Sequence, residues 1–153
     1  MLNKVLTSTK FSNDMEAGLR AMNKIYYTLY GQLLSRDALI KAFKKVKSAN
    51  GSTGIDRQSV KEFAASLVDN VEQLFCELKD KSYRPQPVKR VEIDKDDGGK
   101  RMLGIPAVRD RVVQQCLKDI IEPIFDPQFH PSSYGYRPNK GCHDAIAKAT
   151  AFM

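Results

Sequence analysis

The stretch YRPQPVKRVEIDKDDGGKRMLGIP, from Tyr83 to Pro106, sets the terms for the rest of the chain. Val88, Arg90 and Glu92 alternate with Lys89, Val91 and Ile93, which is the period of an extended strand. Asp96, Asp97, Gly98 and Gly99 then supply turn residues, and Lys100 to Ile105 resumes as a mostly apolar extended segment. The pattern predicts a β-hairpin. Lys95 and Arg101 flank its turn on facing strands and can converge on one anion, for which a phosphate is the natural candidate. Short basic hairpins also occur as plain solvated elements, and local pattern alone leaves both readings open.

A lone hairpin cannot bury a core, so the flanking segments must provide one. Asp14 is a candidate cap for a first helix over residues 14 to 34, with Leu19, Met22, Tyr26, Leu29 and Leu33 at helical spacing. Ser35 can cap a second, where Leu39, Ile40, Phe43 and Val46 form a stripe and Lys41, Lys44, Lys45 and Lys47 crowd the remaining surface. Two patterns, Ser59-x-x-Glu62 and Asp69-x-x-Glu72, have the form of capping boxes. The helices they open are expected to bury Phe63 and Leu67, then Val71, Leu74, Phe75 and Leu78. Beyond the hairpin, Val108, Val112, Val113, Cys116, Leu117, Ile120 and Ile121 make the strongest helical stripe, which Pro123 should end. The expected fold class is α+β, mainly helical with a small antiparallel sheet centred on the hairpin.

Composition adds limits. At 42% hydrophobic and 28% charged, 153 residues are ordinary for one globular domain. No run reaches membrane-spanning length, and the start MLNKVLTSTK lacks the apolar core of a signal peptide, so the expected location is cytoplasmic. Cys76, Cys116 and Cys142 are odd in number and not spaced as metal ligands. They are expected to be reduced, with Cys76 and Cys116 on apolar helical faces. Cys142 and His143 are neighbours in sequence and do not face each other on a helix, which argues against a thiol nucleophile.

A net charge of +7 points to a polyanionic partner. The excess lies in residues 1–56 and 81–153, on either side of a mildly acidic middle. Lys44 and Lys45 belong to a lysine face that is either solvated or turned to RNA. The loop NGSTGID brings Asn50, Gly51 and Gly54 together with hydroxyl side chains, rich in donors but without the Lys-Ser/Thr of a phosphate-binding P-loop. Arg109, Asp110, Arg111, Gln114, Gln115 and Lys118 are expected on the solvent side of the helix after the hairpin. Such residues bond bases, sugars and phosphates, or simply confer solubility. The loop DPQFHPSSYGYRPNKG interleaves Tyr134, Tyr136 and Arg137 with hydroxyls, a composition suited to stacking on bases or to anchoring a long loop.

The order of these pieces carries more than any one of them. A lysine-rich helix, NGSTGID, the Tyr83–Pro106 hairpin, then RDRVVQQCLKDIIEPIFDPQFHPSSYGYRPNKGCHDAI, resemble the N-terminal part of a group II intron-encoded reverse transcriptase, or maturase, from about Ser35 to Ile146. The resemblance implies the fingers of a right-hand polymerase. It divides the chain into a helical extension over 1–34 and a fingers region over 35–153, with an N-terminal block at about 35–60 and fingers blocks at about 83–106 and 108–146. Lys95 and Arg101 fall where such enzymes place the cation pair that holds the triphosphate of the incoming dNTP. Lys89 and Arg90 match a basic pair near template or nucleotide. Residues Gly51 to Asp56 match a loop that covers template and primer, while Arg111, Gln114 and Tyr134 to Pro138 match a block along the template path. Asp94 stands where the family commonly has proline, which implies a more mobile hairpin and partly offset cations.

The family's polymerisation uses Mg²⁺ held by palm carboxylates, and the chain reaches Met153 before the first position where one is expected. Asp96 and Asp97 sit in a turn with no third ligand near them, so no metal site is assigned. The expectation is therefore a catalytically incomplete fingers portion of an RNA-directed DNA polymerase. Its partners would be template or intron RNA, RNA–DNA hybrid and dNTP, with no membrane contact, and self-association could use the palm-facing surface. Three alternatives stand beside it: a free-standing RNA-binding module, a retron or CRISPR-associated reverse transcriptase, and a helical DNA-binding regulator.

Overall fold

The computed structural model describes residues 28–152. They fall into two compact units, one running up to Ile120 and the other starting at Ile121. The first unit holds helices α1 (Leu29–Leu33), α2 (Arg36–Ala49), α3 (Val60–Ala65) and α4 (Leu67–Lys79), then strands β1 (Lys89–Asp94) and β2 (Lys100–Ile105). Helix α5 (Val108–Phe125) follows, and the second unit continues with a 3₁₀ turn at Asp126–Gln128 and helix α6 (Cys142–Thr150). This is the expected α+β class, mainly helical with one two-stranded antiparallel sheet. No described helix is long and apolar enough to cross a membrane. Of the first helix expected over 14 to 34, only the end is described, as α1, and Asp14, Leu19, Met22 and Tyr26 lie outside the described residues.

Helix α2 begins as its sequence dictates. The Ser35 hydroxyl accepts from the Ala38 N–H at 3.3 Å, and Asn50 closes the helix in the left-handed region at φ 44°. Ser59 and Glu62 form a reciprocal capping box on α3, with bonds of 3.1 and 2.7 Å. The second expected capping box does not form. Helix α4 starts earlier, at Leu67, because Leu67 packs against the core, and the Glu72 carboxylate pairs with Arg36 instead of reaching back to Asp69.

The core of this unit gathers Leu39, Phe43 and Val46 of α2, Val60 and Phe63 of α3, Val71, Leu74 and Leu78 of α4, and Val108, Val112, Val113 and Cys116 of α5. Phe43 and Phe63 stack with ring centroids 5.2 Å apart. The α5 stripe is fully buried only through Cys116; beyond it Ile120 is half-buried against the core, while Leu117 and Ile121 are 39% and 40% exposed. Pro123 does not end α5, which runs on to Phe125. Proline here forfeits a single late backbone bond, so the last turn tolerates it. Cys116 is buried as expected, but Cys76 is exposed, with its thiol 3.7 Å from Glu72 Oε1.

The hairpin has the expected turn. Lys95 and Gly99 close it through Lys95 N–H to Gly99 O at 2.7 Å, and the Gly98 N–H donates to Lys95 O at 3.0 Å. Gly98 takes φ +78°, the left-handed residue of a three-residue loop. The Asp97 carboxylate accepts from the Gly99 N–H at 3.0 Å, which fixes the turn locally.

Candidate nucleic-acid interface

Strand register sorts the hairpin's cations. Lys89 pairs with Ile105, Val91 with Leu103, Ile93 with Arg101, and Asp94 with Lys100. Residues two apart share a face, so Lys89, Lys95 and Arg101 lie on one side with Val91, Ile93 and Leu103. Arg90, Glu92, Asp94 and Lys100 occupy the other, where Lys100 Nζ is 2.9 Å from Glu92 Oε2. Lys95 and Arg101 thus stand on adjacent rungs of one face, both exposed and neither in an ion pair among the described residues. Lys89 and Arg90, adjacent in sequence, face opposite sides.

A second basic region lies between α2 and α5. A groove of about 330 Å³ is lined by Lys45, Val46, Ala49, Arg111, Gln114, Gln115 and Lys118. It brings together Lys45, Arg111 and Gln114 from distant parts of the sequence. Lys45 Nζ is 2.7 Å from Asp119 Oδ1, which also accepts from Gln115 at 2.8 Å, so part of its charge is offset. Lys44 is exposed on the same helix and has no ion pair among the described residues. Gln115 and Lys118 complete the groove; sequence reading placed them on this face without assigning them a role, although Lys118 is four residues beyond Gln114.

The NGSTGID loop is held by close approaches at both of its glycines, to a side chain at Gly51 and to backbone at Gly54. The Arg111 guanidinium donates to Ser52 O at 2.8 Å and crowds Gly51, where a Cβ would stand 2.5 Å from Arg111 Nη1. Gly54 is buried against backbone: a Cβ there would lie 2.5 Å from Ala107 Cα and 2.7 Å from Ala107 N. Asn50 is exposed at the loop's start. Thr53, Gly54, Ile55 and Arg57 share with Lys89 a cavity of about 550 Å³. Arg57 adopts φ 59°, a costly conformation for arginine. Sequence reading missed Arg57, and its place directly after the loop was the available signal.

Asp110 is not on a solvent face. It is 2% exposed, the one buried charged residue among those described. Its carboxylate accepts from the Tyr83 hydroxyl at 2.7 Å and from the Gln86 N–H at 2.9 Å, with Arg109 Nε at 3.8 Å. Arg109 also pairs with Glu77. Burial first, and then the hydrogen bond to Asp110, push the Tyr83 phenol far above its ordinary pKa, so it remains the donor. This cluster fixes the segment entering the hairpin onto the first turn of α5.

In the second unit, Arg137 is spent on its own loop. Its guanidinium donates to Asp126 Oδ1 and Asp126 O at 2.8 Å each, and to the carbonyls of His130 and Ser133 at 3.1 and 3.2 Å. The same guanidinium holds the Asp126 carboxyl below its ordinary pKa. Tyr134 is half-buried with Lys140 Nζ 5.2 Å from its ring centroid. Tyr136 is fully exposed at φ 56°. Of the three loop residues singled out from sequence, Tyr136 is the one whose ring is presented outward.

No family model matches the chain. Over 128 residues it is 33% identical to Group II intron-encoded protein LtrA of Lactococcus lactis subsp. cremoris, covering 82% of this chain and 21% of that protein. It is 35% identical over 116 residues to an uncharacterized 91 kDa protein in cob intron of Schizosaccharomyces pombe, covering 74% and 14%. Protein YkfC of Escherichia coli is 39% identical over 110 residues, covering 71% and 29%. The chain thus spans less than a third of the length of each of these relatives. Along most of its own length, it is a homologue of the group II intron-encoded proteins.

Proposed function

We propose that the chain serves as the fingers portion of an RNA-directed DNA polymerase with a maturase role, gripping template or intron RNA and the triphosphate of the incoming dNTP. Lys95 and Arg101 hold the triphosphate. Lys44, Lys45, Arg111 and Gln114 bind RNA along the α2/α5 groove, and Asn50, Gly51, Gly54, Lys89 and Arg90 contact template near the loop. Tyr136 stacks on a base, while Tyr134 and Arg137 shape the loop that presents it. The observation that carries the reading is Lys95 and Arg101 on one hairpin face, neither in an ion pair among the described residues, in a chain homologous to intron-encoded proteins.

Mg²⁺ finds no fitting site among the described residues, where no three His, Cys, Asp or Glu side chains gather. Asp97 is engaged in the hairpin turn. In this reading the chain alone does not polymerise, and Mg²⁺ is bound elsewhere in a longer protein.

The test separates nucleotide from RNA. In a longer polymerase carrying this chain, Lys95→Ala and Arg101→Ala each remove a charge-assisted contact and should raise KM for dNTP about tenfold or more. RNA affinity should stay within about twofold, since that contact is assigned to other residues. Equal losses in both quantities would contradict the assignment.

A further inference from the structure

One cavity belongs neither to the hairpin face nor to the α2/α5 groove. It measures about 300 Å³ and is lined by Asp56, Gln58, Asn70, Gln73, Gln86 and Arg109, with Phe63 and Leu74 as its apolar part. Four of its polar side chains are amides. Asn70 Nδ2 is engaged with Phe63 O at 3.0 Å, and Gln73 Nε2 with Glu77 Oε1 at 2.9 Å, which leaves their amide oxygens open. Gln58 and Gln86 are half-buried residues whose side-chain amides make no hydrogen bond among the described residues. Gln86 is held in place by its backbone, whose N–H donates to Asp110 at 2.9 Å. Asp56 Oδ1 accepts from the Gln58 N–H at 3.2 Å. Arg109 Nε is buried with no hydrogen bond among the described residues, 3.8 Å from Asp110 Oδ1, and the same guanidinium pairs with Glu77.

Amides without a protein partner around a hollow are available to a ligand with matching donors and acceptors. The charges there, Asp56 against Arg109 with Glu77 behind it, give no cationic excess, so a phosphate is a poor ligand. The lining instead offers paired donors and acceptors above an apolar floor. That combination suits a neutral, planar, heteroaromatic ring with several hydrogen-bonding edges. A second cavity, lined by Thr53, Gly54, Ile55 and Arg57 of the same loop together with Lys89, carries two cations and no acidic residue.

We propose that this cavity is a base-binding site, which takes a single unstacked nucleobase of the bound RNA while Arg57 and Lys89 receive its backbone. The inference rests on the RNA-binding reading above for its ligand, but is tested without RNA. The chain is labelled with ¹⁵N, and the side-chain NH₂ signals of Gln58, Asn70, Gln73 and Gln86 are followed during titration with each of the four ribonucleosides and with ribose 5-phosphate.

Saturable shifts of these signals with at least one nucleoside, and none with ribose 5-phosphate, are the expected result. Gln58→Ala and Gln86→Ala should each weaken nucleoside binding about tenfold, the effect of one lost hydrogen bond. Gln58→Ala leaves the Gln86 backbone bond intact, so it remains informative if the Gln86 variant folds poorly. Absence of shifts with all four nucleosides, or equal shifts with ribose 5-phosphate, would overturn the proposal. A failure of RNA binding with nucleoside shifts intact would instead fall on the function proposed above.

Discussion

Replacing Asp110 by alanine should lower the stability of the chain by about 3 kcal/mol, the largest loss expected from any single polar substitution here. The carboxylate is 2% exposed and accepts from the Tyr83 hydroxyl and the Gln86 N–H at once. Its removal leaves both donors buried or half-buried without a partner, and Arg109 without one of its counter-charges. In a chain of this size, such a loss corresponds to a fall in melting temperature of roughly 10 °C. Asp110→Asn keeps the shape and at least one acceptor, and should lose about half as much. Tyr83→Phe removes a single donor and should cost about 1 kcal/mol. In the double variant the two losses should not add, because both act on one bond. Thermal unfolding of the set checks this, and a change below about 0.5 kcal/mol for Asp110→Ala would place the residue with ordinary surface positions.

Gly54→Ala should follow, at about 2–3 kcal/mol, for a purely steric reason. The added methyl would meet Ala107 Cα at 2.5 Å, Ala107 N at 2.7 Å and Pro106 C at 3.0 Å, all of them backbone at the junction of β2 and α5. Neither side can yield without moving the loop or the helix start. Two other glycines provide contrasts. Gly98 has nothing within 4 Å of such a methyl but takes φ +78°, so Gly98→Ala should cost about 1 kcal/mol from conformation alone. Gly51→Ala meets the far end of the Arg111 side chain, which can swing aside at the loss of its bond to Ser52. Urea unfolding should therefore rank Gly54→Ala as the most damaging of the three; a ranking led by Gly98 would show that conformation outweighs the close approach.

These two positions also mark what the sequence could and could not reveal. The hairpin was legible because turn chemistry and strand alternation are local, and Asp96 to Gly99 carry both. The buried stripes of α2 and of the first half of α5 were legible because their period is local as well. Asp110 was not: within RDR it looks like a solvated residue, and only Tyr83 and Gln86, brought over from before the hairpin, make it an interior acceptor. Asp69 and Glu72 had the spacing of a capping box, but a distant arginine, Arg36, claimed the glutamate. Arg137 has the composition of a nucleic-acid contact, and its bonds to three carbonyls and a carboxylate of its own loop are set by residues four to eleven positions away. Tertiary partners decided the cases of Asp110 and Glu72, and no pattern within a short window holds that information. The convergence of Lys45 with Arg111 and Gln114 in one groove is of the same kind.

The proposed function requires that this chain grip RNA through the hairpin face and the α2/α5 groove. Its most direct test is the affinity of the whole chain for a structured RNA, a DNA duplex of equal length and an RNA–DNA hybrid, each at two salt concentrations. Preference for RNA or hybrid is expected, with affinity falling steeply as salt rises. Lys44→Ala, which removes a cation without an ion pair among the described residues, should reduce the salt slope by about one. Tight, sequence-selective binding to the DNA duplex, or affinity for RNA that does not change with salt, would contradict it.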